Sequence, residues 1–242
     1  CIAWHIRPHR QAFLDALCAV SPSFDLTHIN VLELSATGRS MLSPFLVARG
    51  ANAMVTCYRE KELPEIHKSL TRLCDRYGLK RKNFQTAQMD VFALDKMQEY
   101  DLILMKDCFG GYNRQHNQAV FREVLGNCLS ILNADGKLLI IDKGRSLKII
   151  HWLHLRHGQA GSTGWHYFTH DELNQLIPES FAEISFSAYG IFRFADFKGK
   201  TLRGLADFLD EHFAEKFVAV DKRAVFSACY ARTRGRELER IT

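Results

Sequence analysis

Apolar positions along the chain follow two alternating rhythms, short continuous runs and longer stretches with a period near 3.6 residues. Phe13, Leu14, Leu17 and Cys18 fall on one face of a helix predicted over residues 10–20. Residues 29–34 read as a strand. A helix follows over 41–49, with Pro44 tolerated only in its first turn and Gly50 at its end. Residues 53–58 form a second strand. Ile66, Leu70, Leu73, Cys74 and Tyr77 then place one stripe on a helix over 64–77, opened by Pro64 and closed by Gly78.

The rhythm continues with a short strand near 83–89 and an apolar run over 101–105, as expected of a strand buried on both faces. Val120, Val124, Cys128 and Leu132 mark a helix over 118–132, and Asn133-Ala134-Asp135-Gly136 turns into a fifth strand over 137–142. Strand and helix thus alternate five times, which predicts a parallel, three-layer α/β sheet. The order then changes. A basic, helix-like stretch over 146–156 leads to a helix capped at Thr169, with Glu172 in capping-box position. A strand near 182–187, a helix over 202–217 and a strand over 224–231 suit an antiparallel edge hairpin. The expected architecture is a doubly wound, mostly parallel seven-stranded sheet with an antiparallel C-terminal edge strand and helices on both faces. Residues 1–26 form a helical N-terminal segment and 27–234 a single domain.

Composition narrows the function classes. With 242 residues, 47% of them hydrophobic, the chain buries one full core. No apolar run reaches the ~18 residues that span a bilayer. Net charge is +5, without a long Lys/Arg block, so nucleic acid is not the expected partner. The seven cysteines form no Cys-x-x-Cys pair and are odd in number. They read as small core residues of a reducing, cytoplasmic protein, not as a disulfide or zinc framework. No secretory leader is read, and the chain begins at Cys1, which leaves its true start open.

The most informative stretch is Val31-Leu32-Glu33-Leu34-Ser35-Ala36-Thr37-Gly38, an apolar strand ending in an acid and followed by small residues that open a helix. Small side chains let the backbone approach a nucleotide-like ligand, and the helix start offers free N–H groups. Glu33 reads either as an acceptor for a ligand ammonium or hydroxyl group, or as the acid that favours the positive start of the next helix.

These residues, with Tyr100-Asp101-Leu102-Ile103-Leu104, Asn133 to Asp142, and the aromatic-Phe-Thr step Trp165-His166-Tyr167-Phe168-Thr169, resemble the class I S-adenosylmethionine-dependent methyltransferases in order and spacing over residues 27–234. The resemblance implies S-adenosylmethionine as cofactor, held around Glu33, Ser35, Ala36 and Gly38, with Tyr58 and Arg59 at the end of the second strand. It places Asp90 and Val91 at the adenine and Lys106 beside the methionine moiety. Two departures stand out. The family's Gly-x-Gly-x-Gly turn is here Ser35-Ala36-Thr37-Gly38-Arg39, and the acid that ends its second strand is replaced by Tyr58-Arg59, with Glu60 nearby. Asp90 also fits a plain helix-capping turn.

For the acceptor side, Tyr112 and His116 follow the paired glycines Gly110 and Gly111 beyond the fourth strand, and His116 fits a general base or a solvated loop histidine. Residues 143–170 contain no Asp or Glu. Arg145, Lys148, Arg156 and His166 there read as part of a site for an anionic acceptor, or as a solvated basic face. His151, His154 and His157 have no nearby acid to support a metal. Leu205, Phe208, Leu209, Phe213 and Phe217 read as core, with the wall of an apolar acceptor pocket or a dimer face as the alternative. The expected activity is methyl transfer to a small or lipid-like, anionic acceptor, and the alternative is a methyltransferase-like binding domain without activity. A nicotinamide-dependent dehydrogenase is disfavoured, since no Gly-x-Gly-x-x-Gly occurs. Nothing in the sequence sets the oligomeric state.

Overall fold

The computed structural model describes residues 7–20, 26–36, 41–94, 98–112, 117–145, 165–191 and 200–233. Helix α1 (Arg7–Val20) precedes strand β1 (Asn30–Leu34), helix α2 (Ser43–Val47), strand β2 (Asn52–Cys57), helix α3 (Leu63–Tyr77) and strand β3 (Phe84–Gln88). Strand β4 (Tyr100–Lys106), helix α4 (Gln118–Ser130) and strand β5 (Leu132–Lys143) complete the parallel half. Helix α5 (His170–Leu176), strand β6 (Phe181–Tyr189), helix α6 (Lys200–Leu209) and strand β7 (Val225–Arg232) follow. The seven strands lie in the order β3-β2-β1-β4-β5-β7-β6. β1 to β5 are parallel, and β7 runs antiparallel to both β5 and β6. The antiparallel C-terminal strand is therefore present but sits one place in from the edge, which β6 occupies.

Period-two alternation builds two cores. Val31, Leu102, Leu104, Leu139 and Cys229 face Phe13 of α1, Leu46 of α2 and Ile66 of α3. Leu32, Ile103, Met105, Leu138 and Ile140 face Phe121 and Leu125 of α4, with Leu173 of α5. The N-terminal helix thus shares the sheet's core. Among the described residues no helix is long and apolar enough to cross a membrane.

Local signals fix most boundaries. α3 carries Pro in its first turn and stops at Gly78, whose φ of 65° is left-handed. Thr169 and Glu172 form the reciprocal capping box that starts α5. The Asn133–Gly136 turn lies within β5 as an irregularity: Tyr100 pairs with Leu132, but Leu102 pairs with Lys137. A Cβ on Gly136 would meet the Asn133 carbonyl at 2.9 Å, so glycine closes this step.

The helix expected as core over 202–217 differs. After α6 the chain passes through a π-type turn, Asp210–Ala214, and a last turn, Glu215–Phe217. Leu205, Phe208, Phe213 and Phe217 are 53%, 49%, 53% and 84% exposed. Acids hold the inner face instead: Asp210 accepts from Ile191 N at 2.9 Å and Glu215 from Gly190 N at 2.7 Å. These bonds turn the apolar stripe outward.

Candidate functional site

Parallel sheets bind ligands where neighbouring strands send their chains in opposite directions, at the strands' carboxyl ends. Here that point lies between β1 and β4. β1 is followed by Ser35, in the left-handed region at φ 52°, and Ala36 N then donates to Thr56 O of β2 at 2.7 Å. β4 is followed by Asp107, also left-handed at φ 49°, whose N–H donates to Ile141 O of β5 at 2.9 Å. The two chains part toward opposite neighbours, the divergence that makes a crevice in sheets of this kind. Tyr112 closes back across it, its hydroxyl 2.8 Å from Ser35 Oγ. Burial pushes the Tyr112 phenol well above its ordinary range, so it keeps its proton at neutral pH.

Glu33 is buried beside this crevice. Its Oε1 accepts from Leu42 N at 2.7 Å and its Oε2 from Ser43 N at 2.9 Å. Burial raises its pKa, while those bonds and the charge of Lys106 oppose the rise. Each oxygen thus holds one backbone amide at the start of α2, the contact expected of an acid at a helix start, and keeps a second acceptor site.

Lys106 is buried at the end of β4, its Nζ 2.7 Å from Asp107 Oδ2. A third acid, Asp142, lies fully buried near the end of β5. Its Oδ2 accepts from Gly110 N at 2.9 Å, and its Oδ1 from Lys143 N at 2.7 Å and Trp165 Nε1 at 3.1 Å. Burial, with Asp107 nearby, pushes its carboxyl up to about 6. It ties the loop after β4 to the segment before α5. His166 N adds a 2.8 Å bond to Gly110 O, and a Cβ on Gly110 would lie 2.3 Å from the His166 carbonyl. The paired glycines thus admit this close approach of two backbones.

The end of β2 is open. Tyr58 is 58% exposed, and exposed Arg59 donates through Nε to Glu62 Oε1 at 2.8 Å. Past β3, exposed Asp90 accepts from Phe92 N at 3.0 Å and caps the short turn Val91–Ala93. Val91 is buried, its carbonyl accepting from Asn127 Nδ2 of α4 at 3.1 Å. Arg145, exposed, binds both oxygens of Glu172 at 2.8 and 3.1 Å, and His166 Nε2 lies 3.7 Å from the same carboxylate. Burial raises Glu172, but the Thr169 amide, Arg145 and His166 outweigh it and hold its carboxyl below the ordinary value. Gly38, His116, Lys148, Arg156 and the histidines at 151, 154 and 157 lie outside the described residues. Among the described residues no group of three or more His, Cys, Asp or Glu side chains is placed to hold a metal.

The structure therefore brings Glu33, Ser35, Ala36, Lys106 and Tyr112 together at the ends of β1 and β4, with Tyr58, Arg59, Asp90 and Val91 at the ends of β2 and β3. Arg145 and His166 lie past β5 and meet at Glu172. Sequence reasoning assigned no role to Asp107, Asp142 or Trp165. Isolated residues at strand ends carry no periodic signal, although Asp107 and Asp142 share the strand-end position that singled out Glu33.

No protein-family model and no curated protein matches the sequence. Solved structures do match its fold. The N-methyltransferase NodS from Bradyrhizobium japonicum WM9, with S-adenosyl-L-homocysteine, superposes with a TM-score of 0.56 at 13% identity, covering 93% of this chain and 87% of that one. Magnesium protoporphyrin IX methyltransferase (ChlM) from Synechocystis PCC 6803 gives 0.58 at 13% identity over 93% and 83%. The plantazolicin methyltransferase BpumL gives 0.58 at 15% identity over 93% and 84%. The chain has the class I S-adenosylmethionine-dependent methyltransferase fold.

Proposed function

We propose that the protein is an S-adenosylmethionine-dependent methyltransferase acting on a small or lipid-like, anionic acceptor. The observation that carries this reading is the crevice where Ser35 and Asp107 turn apart in left-handed conformations. Such backbone costs about 1–3 kcal/mol at each non-glycine residue and concentrates at ligand sites.

The donor set fits the cofactor at its amino-acid end. An amino acid needs one cation and one anion, and Lys106 with Asp107 supplies both at the end of β4. Asp107, part-exposed, is the carboxylate we assign to the ammonium, and Glu33 is more deeply buried and holds Leu42 N and Ser43 N. Ser35 and Ala36 supply small side chains on the other wall. At the ribose end the fit is looser, since Tyr58 and Arg59 stand where a carboxylate would grip the two hydroxyls. When bound, S-adenosylmethionine supplies an electrophilic methyl group on sulfur. The protein's part is alignment and exclusion of water. Tyr112, which keeps its proton, orients by donating a hydrogen bond and does not act as a base. His116 is the residue we assign to proton removal when the acceptor is a hydroxyl. Arg145, Lys148, Arg156 and His166 are assigned to the acceptor's charge, with Arg145 exchanging Glu172 for the acceptor.

The backbone bonds of Glu33 and the missing acid after β2 favour a second reading, a binding domain without transfer activity. Calorimetry with S-adenosylhomocysteine separates the outcomes. Saturable binding together with turnover supports the enzyme, and binding without turnover of any anionic acceptor supports the second reading. Absence of binding of either S-adenosylmethionine or S-adenosylhomocysteine at ~1 mM overturns the enzyme reading and leaves the inactive binding or partner domain.

A further inference from the structure

The amino ends of β1, β2 and β3 lie at the edge of the sheet opposite the crevice. Two adjoining cavities open there. One, of about 390 Å³, is lined by His28, Gly50, Asn52, Lys80, Lys82 and Asn83. The other, of about 230 Å³, shares Asn52, Lys82 and Asn83 and continues past Asn30, Gln85 and Gln98.

A tight turn shapes this edge. His28 is left-handed at φ 67° and its N–H donates to Gly50 O at 3.0 Å, while Gly50 itself stands at φ 101°. A Cβ on Gly50 would lie 3.2 Å from Thr27 Cγ2, so the two connections pack closely. Asn83 Nδ2 ties the third strand's lead-in to Ala51 O at 3.3 Å. Gly50 adopts its positive φ without cost, so His28 alone carries a backbone conformation that non-glycine residues rarely take beside this cavity.

The chemistry of the lining is one-sided. Five carboxamides, at Asn30, Asn52, Asn83, Gln85 and Gln98, run along it, each with donors and an acceptor suited to hydroxyl groups. Among the described residues no carboxylate lines either cavity. Among the described residues no ion pair joins Lys80 or Lys82 to an acid, whereas Arg81 between them is paired with Asp75 at 2.6 Å. The nearby acid Asp101 is engaged by Asn30 N at 2.8 Å and by Asn133 Nδ2 at 2.5 Å. Lysines supply the point charges that hold a phosphate, and the larger cavity lies in the size range of small-ligand sites.

We propose that this edge is a second binding site, separate from the crevice, for a phosphate monoester carried on a hydroxylated small molecule such as a sugar phosphate. Lys80, Lys82 and His28 meet the phosphate, and the carboxamide row meets the hydroxyls.

Calorimetric titration of the whole chain with inorganic phosphate and with ribose 5-phosphate, at low and high salt, tests this. The Lys80→Gln/Lys82→Gln variant provides the comparison, and both lysines are exposed, so its fold is checked simply by circular dichroism. Saturable binding of ribose 5-phosphate is expected, tighter than that of phosphate and weakened by salt. The variant should lose roughly tenfold or more in affinity. Binding of S-adenosylhomocysteine, where present, should be the same in both proteins. No saturable heat with either phosphate compound, equal affinity in the variant, or ribose 5-phosphate no tighter than phosphate each overturns the proposal.

Discussion

Ser35 Oγ and Tyr112 Oη lie 2.8 Å apart, joining the end of β1 to the loop after β4 across 77 positions of sequence. The bond spans the crevice between the two strands, so any ligand seated there must accommodate it or replace it. A double-mutant cycle with Ser35→Ala and Tyr112→Phe should give a coupling of about 0.5–1.5 kcal/mol by urea denaturation. Alanine is as strained as serine at a positive φ, so the cycle isolates the hydroxyls. Ser35→Gly should be more stable than Ser35→Ala by about 1 kcal/mol, because glycine adopts the left-handed region without cost. Equal stability of the two would remove strain from the account of this turn.

The Asp142 carboxyl sets a pH dependence of unusual sign for an acid. Its pKa rises from the ordinary 3.8 to about 6 on folding, because burial disfavours the charged form. The folded chain therefore holds a proton that the unfolded chain has released. The resulting stabilisation is complete below about pH 4 and is lost as pH rises through 6, by about 3 kcal/mol in all. Glu33, also raised by burial, acts in the same direction. Denaturation curves between about pH 4 and pH 7 should show this slope in the native chain and a flatter one in Asp142→Asn. A native chain whose stability rises over that interval contradicts the prediction.

Gly110→Ala should cost about 2–4 kcal/mol or prevent folding, since its Cβ would sit 2.3 Å from the His166 carbonyl and 2.4 Å from Trp165 Nε1. Gly126→Ala in α4 is the matched control. Nothing lies within 4 Å of its added Cβ, and the helix gains about 0.5–1 kcal/mol from the exchange. Thermal melts of the pair should move in opposite directions.

Tyr58→Asp restores a carboxylate to the end of β2 at an exposed position. If the crevice takes the nucleoside of S-adenosylhomocysteine, affinity should rise roughly tenfold, the effect of one hydrogen-bonded charge. Calorimetry showing unchanged or weaker binding would separate the end of β2 from the ribose.

Much of the fold is legible in the chain because its signals are local. The Pro64 and Gly78 limits of α3 and the Thr169–Glu172 box act within one or two turns, and the runs of β1, β4 and β5 bury both faces. The placement of β7 between β5 and β6 depends on pairing across most of the second half, which no local pattern encodes. The site is harder for the same reason. Residues 143–170 read as acid-free, yet Arg145 meets Glu172 in space, which neutralises its charge. Glu33 supports two readings in sequence, and its bonds to the amides of Leu42 and Ser43, nine and ten residues on, have no local signature there. The outward stripe of α6 has the periodicity of a core helix, and its direction is set by Asp210 and Glu215, whose partners lie at Ile191 and Gly190.

The insertion of β7 has a consequence for the order in which the molecule is made. β6 pairs with no strand but β7 among the described residues, and β7 ends at Arg232. As the chain leaves the ribosome, β1 to β5 acquire all their parallel neighbours while β6 waits with both edges bare. Sheet closure thus waits until β7 has been made, and its pairing partners are far apart in the chain, which slows the step. A nascent chain arrested before Val225 would present the open edge of β5 and an unpaired β6 together, the condition under which β-rich intermediates associate with one another.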